Sequence, residues 1–127
     1  MKILVVDDNP VNRKLVQYIL QDFHEIHLAG NGAEAVFKAT RFLYDLIIMD
    51  LCMPLMDGAE ATLTIRRSMD NRNSDTPIII YSTSCLERDR QRCLKYGANE
   101  YLVKPVHAKN LKEKVEYFSQ VKMKFSI

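Results

Sequence analysis

The stretch Leu46-Ile47-Ile48-Met49-Asp50-Leu51-Cys52-Met53-Pro54-Leu55-Met56-Asp57-Gly58 decides how the chain is read. Its first four residues are apolar without a polar interruption, as in a short strand buried on both faces. A lone carboxylate ends the run. A turn follows, and Asp57-Gly58 opens a helix. The same pattern recurs outward in both directions. Ile3–Val6, Ile26–Ala29, Ile78–Tyr81 and Glu100–Val103 are further short apolar runs. Helical segments separate them. Asn9 caps the first, with Pro10 at its first position and Leu15, Val16, Ile19, Leu20 and Phe23 as its inner stripe. Asn31-Gly32 opens the second, with Ala35, Val36 and Ala39 facing inward. The third runs from Asp57-Gly58 to about Met69. Ser84 and Glu87 have capping-box spacing and start the fourth, which Gly97 ends. The fifth follows Pro105 and turns Leu111, Val115 and Phe118 to the core. Arg66–Asp75 reads as a solvated loop and Gln120–Ile127 as a frayed basic tail.

Strands alternating with helices imply parallel pairing, right-handed crossovers and an α/β doubly wound sheet. The chain has 127 residues, enough for one domain. A net charge of +2 gives no support to general polyanion binding. No apolar run approaches the length of a membrane span, and no signal peptide is visible. Three cysteines at unpatterned spacing point to a reducing, cytoplasmic setting. Cys85 and Cys93 are read as half-buried fillers, and His24, His27 and His107 as surface residues.

In such a sheet the ligand lies beyond the carboxyl ends of the strands. There the sequence places Asp7-Asp8, Asp50, Ser82-Thr83 and Lys104-Pro105. Taken singly, Asp7 or Asp50 reads as turn or capping chemistry; the ordered set does not. Two carboxylates about 4 Å apart repel by roughly 4 kcal/mol at an effective dielectric of about 20. Converging acids therefore call for a cation, and all-oxygen ligands select a hard one such as Mg²⁺. Lys104 adds positive charge and Ser82 a hydroxyl. These parts suit phosphoryl transfer onto Asp50 as nucleophile, with Asp7 and Asp8 holding the metal.

From about Lys2 to Phe118 the chain resembles the response-regulator receiver domain of two-component signalling. The resemblance lies in Ile3–Asn9, Leu46–Pro54, Met56-Asp57-Gly58, Pro77–Ser82, Gly97-Ala98, Tyr101 and Lys104-Pro105. It implies a flavodoxin-like (βα)5 fold with strand order 2-1-3-4-5. It implies that Asp50 accepts a phosphoryl group, that Asp8, Asp50 and the Cys52 backbone carbonyl bind Mg²⁺ directly, and that Asp7 acts through metal-bound water. Lys104 would pair with the acyl phosphate, before a cis bond to Pro105. Ser82 and Tyr101 would form the switch, read out on helix four, strand five and helix five. The implied donors are a histidine kinase or histidine phosphotransfer protein, with a downstream protein target and, in some members, a phosphorylation-dependent dimer. Such a domain is a switch that assists its own phosphorylation and dephosphorylation, not an enzyme.

Some residues depart from the pattern. Ser82 stands where threonine is commoner, and Thr83 is larger than usual for its position. Cys52 and Ser84 occupy positions that tune dephosphorylation in the family, although Ser84 is read first as a helix cap. Asn9–Arg13 resembles receivers of hybrid histidine kinases, yet the expectation is a free-standing receiver over residues 1–120, with 121–127 as tail and no output domain. Arg88, Arg90, Arg92 and Lys95 on helix four read as a solvated face, with docking of an acidic partner as the sharper alternative. No recognition-helix module supports direct DNA binding. A haloacid-dehalogenase-type phosphatase would need Asp at position 9, where the chain has Asn9. A degenerate scaffold would not be expected to keep Asp7, Asp8, Asp50, Ser82 and Lys104 together.

Overall fold

A computed structural model describes residues 1–68 and 72–125. The strands are β1 (Lys2–Val6), β2 (Glu25–Ala29), β3 (Leu46–Asp50), β4 (Ile78–Ser82) and β5 (Glu100–Val103). They alternate with helices α1 (Pro10–Leu20), α2 (Gly32–Arg41), α3 (Gly58–Arg67), α4 (Glu87–Lys95) and α5 (Ala108–Phe125). All pairings are parallel and the order is β2-β1-β3-β4-β5, the doubly wound arrangement expected.

Strand periodicity sorts the core into two layers. Leu4, Val6, Ile47, Met49, Ile78 and Ile80 pack against Ala35 and Ala39 of α2, Ala59, Ala61 and Ile65 of α3, and Cys93 of α4. Ile3, Val5, Leu46, Ile48, Ile79 and Tyr81 pack against Val16 and Leu20 of α1 and Leu111, Val115 and Phe118 of α5. The same alternation carries Asp7, Asp50 and Lys104 onto the α1–α5 side of the sheet ends, with Tyr81. Ser82 follows Ile80 onto the other side.

Asn9, Asn31 and Asp57 cap their helices as expected. Asn9 accepts from the Val11 and Asn12 N–H groups, Asn31 from Glu34 and Asp57 from Glu60. Several readings are corrected. The inner stripe of α1 is Val16, Ile19 and Leu20; Leu15 lies one step round the helix in solvent, and Phe23, past the helix end, is 84% exposed. Ser84 does not cap α4, which starts at Glu87 behind Leu86; its hydroxyl accepts from the Leu86 N–H and donates to Asp89 at 2.5 Å. Cys85 is exposed, whereas Cys93 is fully buried. His24 and His27 are half-buried and hydrogen-bonded, His24 to the N-terminal amine and His27 to Tyr44 and Glu25; His107 is exposed as expected. Finally, α5 continues to Phe125, where a frayed tail was expected; residues 126–127 of that tail lie outside the described residues.

The stretch read as a solvated loop is in large part structural. Met69 and the two residues after it lie outside the described residues, so the expected end of α3 at Met69 falls there too. On either side the chain is tied down. Arg66 donates to the carbonyls of Gly97, Ser74 and Thr76 and to the Asn99 side chain. Asn73 is fully buried: its oxygen accepts from the Tyr44 N–H and the Thr76 hydroxyl, and its nitrogen donates to the Ala39 and Phe42 carbonyls. Among the described residues, no helix is long and apolar enough to cross a membrane.

Candidate functional site

Two strand ends bring the acids together, Asp7 and Asp8 after β1 and Asp50 at the end of β3. One ligand oxygen from each of Asp7, Asp8 and Asp50 lies within 4.8 Å of the others. Asp7 and Asp50 are buried and Asp8 is exposed, so the group forms a cup open on one side. Lys104 reaches in from the end of β5, its Nζ 3.2 Å from Asp50 Oδ1 and 3.6 Å from Asp7 Oδ2. The peptide bond between Lys104 and Pro105 is cis.

Asp7 is held on every side. Its Oδ1 accepts from the Asn9 N–H at 2.9 Å, its Oδ2 accepts from the Tyr81 hydroxyl, and its carbonyl accepts from Arg13 at 2.7 Å. Tyr81 was absent from the sequence-derived site. It lies beside Asp50 in the β3–β4 register, and strand alternation alone places it on the carboxylate side. Lys104 Nζ sits 4.4 Å from the centre of its ring. Burial, together with Asp7, holds the Tyr81 phenol far above its ordinary value, so it stays a donor.

Burial first, then the charge of Asp7, pushes the Asp50 carboxyl up to about 6, despite the opposing pull of Lys104. One ammonium faces three carboxylates. A hard divalent cation fits that donor set and that deficit. Asp7, Asp8 and Asp50 are the residues able to hold it.

The other expected residues lie nearby in different arrangements. Ser82 is fully buried, and its hydroxyl accepts from the Ser84 N–H at 3.1 Å, in the turn after β4. Tyr101 packs partly against the α2–α4 layer and donates to the Ser84 carbonyl at 2.8 Å. Cys52 follows β3 with its side chain exposed. Thr83 is exposed and lines an apolar groove of about 340 Å³ between α1 and α5, with Leu15, Val106 and Lys104 on its walls. Arg92, assigned to a solvated face, instead clasps Asp57 through two nitrogens, at 2.8 and 3.3 Å, and reaches Glu60. That clasp ties α4 to the loop after β3.

Gly58 sets the position of Asp50 from behind. Its N–H donates to the Leu51 carbonyl, and a Cβ there would collide with the Asp50 carbonyl oxygen. Backbone cannot yield as a side-chain tip does. Gly58→Ala is therefore expected to destabilise the fold by about 1–3 kcal/mol, measured as a lower urea midpoint.

Comparison with known proteins places this arrangement. The family model of the response regulator receiver domain matches residues 3–116. Hybrid signal transduction histidine kinase G of Dictyostelium discoideum is 35% identical over 129 residues, covering 99% of this chain but 4% of the kinase. The chain thus spans a small fraction of the length of that curated relative. Chemotaxis protein CheY4 of Vibrio cholerae superposes with a TM-score of 0.85 at 34% identity, over 92% of this chain and 97% of that one. The receiver domain of sensor histidine kinase PA1611 from Pseudomonas aeruginosa PAO1, solved with a magnesium ion in its active site cleft, gives 0.82 at 36% identity, over 92% and 95%.

Proposed function

Since the chain belongs to the response regulator receiver domain family, we propose that it is a phosphorylation switch in which Asp50 accepts a phosphoryl group from a phosphohistidine donor. The observation that carries this reading is Lys104 Nζ lying 3.2 Å from Asp50 Oδ1 beside a three-carboxylate cup. Asp7, Asp8, Asp50 and the Cys52 backbone carbonyl would hold Mg²⁺, which when bound supplies positive charge against the phosphoryl oxygens. An Asp50 carboxylate oxygen forms the new bond to phosphorus as the donor's bond breaks, and the leaving imidazole keeps that electron pair. Asp50 must be ionised to do so, and cations beside it favour that form. Lys104 then neutralises the acyl phosphate. Ser82 and Tyr101 move with it and shift the α4–β5–α5 surface between two arrangements. Residues 1–120 carry this unit.

The donor is a histidine kinase or histidine phosphotransfer protein, and the readout is a protein target. The likeness of residues 9–13 to hybrid-kinase receivers, and the identity to a hybrid kinase, support the kinase side.

The test is intact mass after incubation with a small phosphodonor and Mg²⁺. One adduct of about 80 Da, for a single phosphoryl group, is expected on the native protein and none on Asp50→Asn. Persistence of the adduct on the variant overturns the assignment. Repeated turnover of a phosphate ester would make the protein an enzyme instead.

A further inference from the structure

The acid cup has a member that the phosphoryl-transfer reading does not use. The Tyr81 hydroxyl donates to Asp7 Oδ2, from a side chain that is 5% exposed and locked between the sheet and α1 and α5. The Asn9 N–H already occupies Oδ1, and Lys104 approaches Oδ2. A carboxylate offers about four lone-pair positions. Here two donors already occupy such positions, and an ammonium stands 3.6 Å away, before any ion arrives.

We infer that Tyr81 is a positioning residue that stands in for part of the cation's charge at Asp7, orienting that carboxylate and lowering the site's affinity for Mg²⁺. This rests on the reading that the three carboxylates hold Mg²⁺. Hydrogen-bond partners of a metal-binding group both aim it and tune its affinity. A phenol that donates to Asp7 stabilises the cup before an ion binds, because it disperses negative charge that Lys104 and the Asn9 N–H offset only in part. Once a divalent ion occupies the cup, the same hydrogen bond is worth less, since the ion supplies that charge. The difference falls entirely on the binding equilibrium. Removing the hydroxyl leaves Asp7 still aimed by Asn9 and Lys104 but richer in free lone pairs, so binding tightens.

The experiment is Mg²⁺ titration by calorimetry on unphosphorylated native protein and on Tyr81→Phe, which keeps the ring and its packing. Tyr81→Phe is expected to bind Mg²⁺ about tenfold more tightly, the equivalent of one hydrogen bond to a charged group. Its melting temperature should fall without Mg²⁺ and recover most of the loss at saturating Mg²⁺. In the Asp7→Asn background the same change should leave affinity unaltered, because the effect runs through Asp7. If Tyr81→Phe folds poorly, Tyr81→Met serves the same comparison. Equal or weaker Mg²⁺ binding in Tyr81→Phe, with the native protein binding normally, overturns this inference and leaves the phosphorylation reading intact. A native protein that binds no Mg²⁺ overturns the metal reading and this inference with it.

Discussion

Asn73→Ala should destabilise the protein by about 3–5 kcal/mol, lowering the melting temperature by about 10–15 °C. The side chain is a four-way junction. It holds the Tyr44 N–H, the Thr76 hydroxyl and the Ala39 and Phe42 carbonyls at 2.7–2.9 Å, in an interior from which water is excluded. Truncation leaves those groups without this partner, and each orphaned buried group costs about 1–3 kcal/mol. Asn73 precedes β4, at the end of the sheet opposite the carboxylates, so Mg²⁺ affinity should stay within about twofold of native. Thermal melts by circular dichroism, paired with the Mg²⁺ titration, check both parts. A loss under about 1 kcal/mol would show that the junction carries little.

Asp50→Asn should act in the opposite direction on stability while abolishing phosphoryl acceptance. In the ion-free fold the Asp50 carboxyl is raised from 3.8 to about 6, chiefly by burial and then by Asp7. A carboxyl raised on folding takes up protons more readily in the native state. The metal-free fold therefore loses stability as pH rises from about 4 to about 6, and the whole penalty is present above that window. The difference corresponds to about 3 kcal/mol as an upper figure. Asparagine removes the charge with little change of shape, so the variant should be more stable by about 1–3 kcal/mol at pH 7 without Mg²⁺. The gain should vanish near pH 4. Native protein should gain stability on adding Mg²⁺, and the variant much less. Equal urea midpoints at pH 7 would remove the electrostatic strain from the account.

Much of this was legible in the residue order because short apolar runs and the polar residues ending them are local signals. The runs at Ile3–Val6 and Leu46–Met49 gave their strands to within a residue or two, and with them the convergence of Asp7, Asp8 and Asp50. The misses were residues whose roles depend on distant partners. Asn73 looks like loop composition until Ala39, Phe42 and Tyr44 surround it. Arg92 reads as one of several helix charges until α4 lies beside Asp57. Ser84 had the right spacing to Glu87, but Leu86 stands between it and the helix start. Tyr81 is the instructive case. Alternation from Ile79 already places it on the carboxylate side, but its hydroxyl gains a role only through Asp7, 74 residues away along the chain.

Unequal anchoring of the helices has a mechanical consequence. Helix α3 buries Gly58, Ala59, Ala61, Thr62 and Ile65, whereas α4 buries Cys93 alone and leans on the Arg92 clasp. Lifting α4 therefore exposes little apolar area, at about 25 cal/mol per Å², and of the five helices it is the cheapest to detach. Its amide hydrogens should be the first to trade with solvent, well before those of α3. A domain built this way has a stiff half that keeps the acids in place and a pliant half that a neighbour can reshape at small cost.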